Sequence, residues 1–124
     1  MRFLMLYRPA DTSSEQGLPP SADHVAEMGK YIDQSVREGT LLYTEGCQPS
    51  SKGARVRTAS TKTSVTDGPF SEAKEVIGGF AIIKAESKAD AIEHAKRFMK
   101  VAGDGEVEVR VLHDAPPPMP AKGA

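Results

Sequence analysis

Tryptophan is absent, cysteine occurs once, and aromatic residues make up only 6% of the 124 positions. A single Cys47 excludes an intrachain disulfide and fits a reducing compartment. The three histidines, His24, His94 and His113, match no metal-ligand spacing, so no metal or other cofactor is expected. No apolar run approaches the roughly 18 residues of a membrane span. The run Phe3-Leu4-Met5-Leu6-Tyr7 is too short for a signal-peptide core and has no small-residue cleavage site, so a cytoplasmic protein is expected. Charge of one sign is lacking too. Sixteen Lys and Arg face seventeen Asp and Glu, a formal net charge of −1. That balance gives no global pull toward nucleic acid or an anionic membrane. The basic run Lys52, Arg55, Arg57, Lys62 has no interleaved aromatic and reads as a solvated hairpin. The pair Gly78-Gly79 lies within an apolar run and lacks the lysine of a phosphate-binding loop.

What is present is one domain's worth of alternating patterns. Residues 2–8 read as a strand closed by Pro9, and 9–20 as a polar loop. Ser21 can cap a helix with Asp23 in its first turn, and Val25, Met28, Ile32 and Val36 then form one apolar stripe. Gly39 stands where a C′ glycine belongs, and a strand over 41–46 follows. Ala54–Thr58 and Lys62–Thr66 read as a β-hairpin, although without an Asn-Gly type turn. Val76–Ala85 is an apolar strand. Ser87 caps a second helix with Asp90 three residues on, and Ala91, Ile92, Ala95, Phe98 and Met99 make its stripe. Glu106–Leu112 alternates charged residues with valine, the pattern of a half-buried strand. From Ala115 on, four prolines in ten residues predict a disordered tail, leaving 1–114 as the folded domain.

Helices alternating with strands in this order predict an α+β, ferredoxin-like βαββαβ sandwich with an inserted hairpin. Two helices can cover one face of such a sheet. Yet Phe80 and Ile82 are apolar on one side of their strand, and Ala81 and Ile83 on the other. In the first strand Phe3, Met5 and Tyr7 likewise oppose Leu4 and Leu6. A second apolar face must be buried, and a homodimer packing sheet on sheet is the plain expectation.

The densest stretch runs from Val65 to Phe80. It holds Asp67-Gly68-Pro69-Phe70, then Glu72-x-Lys74-Glu75, then Gly78-Gly79-Phe80. With Glu45-Gly46-x-x-Pro49-Ser50 and Glu106-Val107-Glu108-Val109-Arg110, these residues make the chain resemble the DGPF branch of the YCII-related proteins. The resemblance implies a dimeric α+β barrel with a cavity between sheets and helices. In YCII-related proteins a His-Asp pair has been suspected of catalysis, and one relative eliminates chloride from a chlorinated hydroxyquinol. For the DGPF branch no general activity is established. Some relatives occur beside, or fused to, extracytoplasmic-function sigma factors, which implies a sigma-factor partner by analogy.

Several residues are candidates for a site. Asp67 cannot accept from the residue two positions on, because that residue is Pro69. It either caps Phe70 or Ser71 or lines a cavity as acceptor or base. Phe70 is expected to plug the core or the dimer seam. Glu72, Lys74 and Glu75 read as a solvated face. Glu108 and Arg110 share the face of the last strand opposite its valines, and with Tyr7 and Glu45 they are expected to border the dimer cavity. Charges there pair with each other, the leading expectation, or with a ligand, and an Arg110 left for a ligand would favour an anionic one. His24, at the head of the first helix, would complete an acid–base pair if it met Asp67. The leading expectation is a homodimer that binds a small polar or anionic molecule. A cofactor-free lyase or isomerase using carboxylate acid–base chemistry is one alternative. A partner-binding module linked to sigma-factor regulation is the other.

Overall fold

The computed structural model describes residues 1–70, 72 and 76–114. Lys74, Glu75 and the proline-rich tail 115–124 lie outside the described residues. Eight strands and helices follow in the order β1 (Arg2–Pro9), α1 (Ala22–Arg37), β2 (Leu41–Gly46), β3 (Ala54–Ala59), β4 (Lys62–Asp67), β5 (Gly79–Lys84), α2 (Lys88–Ala102) and β6 (Gly105–Val111). Four strands form an antiparallel sheet in the order β2-β5-β1-β6, and β3 and β4 pair separately as a hairpin. This is the expected ferredoxin-like α+β topology, with the hairpin inserted between β2 and β5.

The central strand β1 sets the two faces. Its register pairs Met5 with Ala81 and Val109, so Phe3, Met5, Ala81, Ile83 and Val109 share one side. Both helices pack there, and the core is Phe3, Met5, Ala81, Ile83, Ala85, Ala91 and Ala95. Leu4 and Leu6 lie on the other side with Phe80, Ile82, Glu108 and Arg110. Among the described residues no helix covers that face.

Capping follows the local chemistry of the sequence. Ser21 Oγ accepts from the His24 N–H at 3.1 Å, and Ser87 Oγ from the Asp90 N–H at 3.1 Å. The Asp90 carboxylate reaches back to accept from the Glu86 N–H at 3.1 Å, a variant of the capping box.

Two expectations need correction. First, Val25 and Val36 of α1 are each 56% exposed, and the inward line is His24, Met28, Tyr31 and Ser35. The helix is turned because its last turn is fixed by Ser35, whose carbonyl accepts from the Thr40 N–H and hydroxyl, and by Tyr31, whose hydroxyl donates to the His94 carbonyl. On α2, similarly, Ile92 points outward and His94 inward. Second, β5 starts at Gly79 rather than Val76. Opposite the missing rungs stands Pro9, which has no N–H with which to continue the ladder. The hairpin stands as expected and turns on Ser60 and Thr61, both at positive φ, the pattern of a type I′ turn reached without asparagine or glycine.

Candidate functional site

α2 lies close on the sheet because its inward residues include alanines: Ala91 is fully buried and Ala95 nearly so. α1 stands further off over its first half, where Met28 and Ile32 are only half-buried. The space left between α1, the sheet and the loop from Asp11 to Ser21 is a cavity of about 880 Å³. That size suits a small-molecule site. Its floor is apolar, formed by Met5, Ala81, Phe98 and Val107, with Met28 and Ile32 as the helical wall. The polar groups lie toward one end: Tyr7, Asp11, His24, Thr44 and Asp104, with Ser13 and Ser14. Glu45 stands at the rim, paired with Phe80 on the side of the sheet away from the helices. Among the described residues no lysine or arginine lines it.

Tyr7 is the best-held of these groups. Its ring meets Phe98 edge-on at 5.2 Å, and its hydroxyl donates to the carbonyls of Ala102 and Asp104 at 3.3 and 3.4 Å. Burial, and then the negative charges of Asp104 and Asp11, push the phenol above its ordinary range, so Tyr7 stays protonated at neutral pH. Asp11 accepts from the Ser13 N–H at 2.9 Å, which folds the loop at the cavity mouth. His24 lines the wall from the first turn of α1, half-buried. The Gly78-Gly79 pair is explained by close approach. A Cβ on Gly78 would lie 3.2 Å from Tyr7, and one on Gly79 2.7 Å from the Glu45 carbonyl oxygen. The glycines therefore make room for a facing aromatic and a neighbouring strand, and they also line the cavity.

Asp67, Phe70 and Ser50 form a different unit. The Phe70 N–H donates to Ser50 Oγ at 3.0 Å rather than to Asp67. The Ser50 hydroxyl donates in turn to Glu15, whose carboxylate also accepts from the Ser50 N–H at 2.8 Å. The Gly68 N–H donates to the Gly53 carbonyl at 3.0 Å, and any side chain at Gly68 would collide with the Ser50 carbonyl. The Phe70 ring carries the Arg55 guanidinium 4.1 Å from its centroid. Two motif pieces more than fifteen residues apart in the chain are thus one bracket tying the hairpin base to the loop before α1. Asp67 ends β4 in solvent and is not among the cavity residues.

Glu108 and Arg110 sit on the uncovered sheet face. Arg110 bonds Glu108 at 3.1 Å and Arg8 bonds it at 3.2 Å, and these two guanidiniums hold the Glu108 carboxyl below its usual range. The charges pair with one another, and neither Glu108 nor Arg110 lines the cavity. Of the residues singled out from sequence, the fold therefore brings Tyr7 and His24 to the cavity, sets Glu45 at its rim facing the other side of the sheet, and leaves Asp67, Phe70, Glu108 and Arg110 elsewhere. Asp11 and Asp104, which sequence reasoning missed, belong with the first group. Their only signal was their place at the ends of the loops that flank β1 and β6.

Comparison with known proteins adds three findings. The family description "YCII-related domain" matches residues 1–114. An uncharacterised protein of Rhizobium meliloti (strain 1021) is 35% identical over 101 residues, spanning 81% of this chain and 78% of that protein. Among solved structures, 5-chloro-2-hydroxyhydroquinone dehydrochlorinase from Burkholderia phenoliruptrix AC1100, in complex with 2,5-dihydroxybenzoquinone, is similar with a TM-score of 0.47 and 16% identity, over 93% of this chain and 96% of that one.

Proposed function

The chain belongs to the YCII-related family, and on that premise we propose that it binds a small, polar, uncharged ring compound in the cavity beneath α1, as a homodimer. The observation that carries the reading is the lining itself. An apolar floor suits a flat, largely hydrophobic body. The polar end offers acceptors, from Asp11 and Asp104, and no lysine or arginine among the described residues. A carboxylate ligand would meet negative charge without a partner. A phenolic or other hydroxylated ring would instead donate into that end. The earlier expectation of an anionic ligand rested on Arg110, which is engaged with Glu108 on the opposite face.

The dimer part of the reading rests on that opposite face. Leu4, Leu6, Phe80 and Ile82 form a continuous apolar strip, and Tyr43 beside Phe80 is 53% exposed. A second copy is the plain cover. Light scattering is expected to give twice the chain mass, and single-copy protein at high concentration sinks this part.

Binding is tested by thermal shift with small phenols and with carboxylates of matching size. Phenols are expected to raise Tm, and the carboxylates to leave it unchanged. A reversed preference overturns the ligand class. One further observation favours chemistry in the same cavity: His24 supplies an imidazole, and Tyr7 a protonated hydroxyl, inside one largely apolar space. In that second reading His24 takes a proton from the bound ring compound without any cofactor. NMR of each binding compound is expected to show proton exchange or elimination that His24→Asn abolishes. Compounds that bind and remain unchanged with the wild-type protein remove the catalytic reading and leave the binding one standing.

A further inference from the structure

Among the described residues, apart from its base, the substantial packing of the hairpin β3–β4 is of one strand on the other. A two-stranded hairpin in water is marginal by itself. This one nevertheless carries a β-branched surface on one side. Val56 faces Val65 and Thr58 faces Thr63 in register, and the two valines are 66% and 63% exposed. Arg57 lies on the reverse side, opposite Ser64, and Lys62 closes the tip. Such a surface is what a strand ribbon presents to a partner.

Charge says which partner. Residues 50–67 hold four basic side chains and one acid, a net charge of +3. The rest of the chain holds twelve basic and sixteen acidic residues, a net charge of −4. The near-neutral total thus conceals an arm and a body of opposite sign. Two copies attract through arm and body, whereas arm on arm repels. On the body, beside the strip that the second sheet covers, the edge strand β2 offers Leu42, 49% exposed, and Glu45, an exposed carboxylate that has no ion-pair partner among the described residues.

We propose that the β3–β4 hairpin is a dimerisation arm: it reaches onto the body of a second copy of this chain and seats its Val56/Val65 face there. The Glu15–Ser50–Phe70 bracket then has a purpose, since it holds the arm's base at a fixed angle to the body. This inference rests on the homodimer reading and adds a second, separable contact to it.

The test uses the full chain. Val56→Asp combined with Val65→Asp removes the apolar face from a hairpin whose valines touch no core. The expected result is a dissociation constant raised tenfold or more by analytical ultracentrifugation, with an unchanged circular dichroism spectrum. An unchanged dissociation constant in a dimeric protein overturns the arm while leaving the sheet-on-sheet dimer intact. A wild-type protein that is single-copy overturns both. Hydrogen exchange guards against a misfolded variant. In the wild-type protein, amides of β3 and β4 are expected to be protected in the dimer and to lose that protection on dilution. Fast exchange of these amides at every concentration overturns the arm without any substitution.

Discussion

α1 and α2 lie on the same face of the same sheet and meet it differently. α2 buries Ala91, His94 and Ala95, and beneath it the core is solid. α1 buries Ser35 alone, near its end, and beneath its first half lies a cavity of about 880 Å³. Both are amphipathic, so apolar content does not separate them. Side-chain volume at the contact does. Alanines let a helix axis approach the sheet, whereas Met28, Tyr31 and Ile32 hold it away. The difference assigns stability to one helix and the site to the other, and every variant that exchanges their properties tests that division.

The largest effect is expected at the packed helix. Ala91 is fully buried against the sheet. Ala91→Leu should overpack that contact and cost about 1–3 kcal/mol, read as a lower urea midpoint with the slope unchanged. A wild-type midpoint would mean that α2 is as loosely seated as α1. Next comes the matching insertion on the cavity side. Met28→Trp should fill space that is already open, change stability by less than about 1 kcal/mol, and abolish the thermal shift given by small phenols. Retained binding would place the ligand outside the cavity.

Gly29→Ala is expected to go the other way. A Cβ at Gly29 meets nothing within 4 Å, so the variant should gain about 0.5–1 kcal/mol from helix propensity alone. A loss would show that α1 is pressed more tightly than its exposure indicates. The smallest effect at neutral pH is Tyr7→Phe. The folded protein raises the Tyr7 phenol, so its contribution is complete below the ordinary tyrosine range and is lost as pH rises through the raised value. Near pH 7 the variant should lose only what the two long hydroxyl hydrogen bonds contribute, about 0.5 kcal/mol, and as pH rises it should lose less further stability than the wild type. Tyr31, raised chiefly by burial, keeps part of the alkaline slope in both proteins. Identical alkaline curves would remove Tyr7 from the account.

Much of the fold was legible, because its signals are local. Ser21, Ser87 and Asp90 announce their helices through atoms three or four residues away, and the alternation of β1 and β6 displays both sheet faces directly. The site was legible only in part. Tyr7 and His24 stood out as polar residues on regular elements, and both line the cavity, whereas Glu45 faces the other side of the sheet. Asp67 misled because a turn aspartate before Gly-Pro looks like a group in need of a partner. The partner that Phe70 needed was supplied by Ser50 instead. For Arg110 both the strand face and the pairing with Glu108 were legible, the first from the valines and the second from two opposite charges on one face.

By itself the sequence determined which segments become helix or strand, their order, and that the sheet is apolar on both sides. These depend on capping, periodicity and pleat, each a relation among near neighbours in the chain. Only the tertiary structure decided how far each helix stands from the sheet, where the cavity opens, and that Glu15, Ser50 and Phe70 form one bracket. Those outcomes depend on side-chain volumes and hydrogen bonds between segments far apart in the chain, and a property of a pair is not written in either member alone.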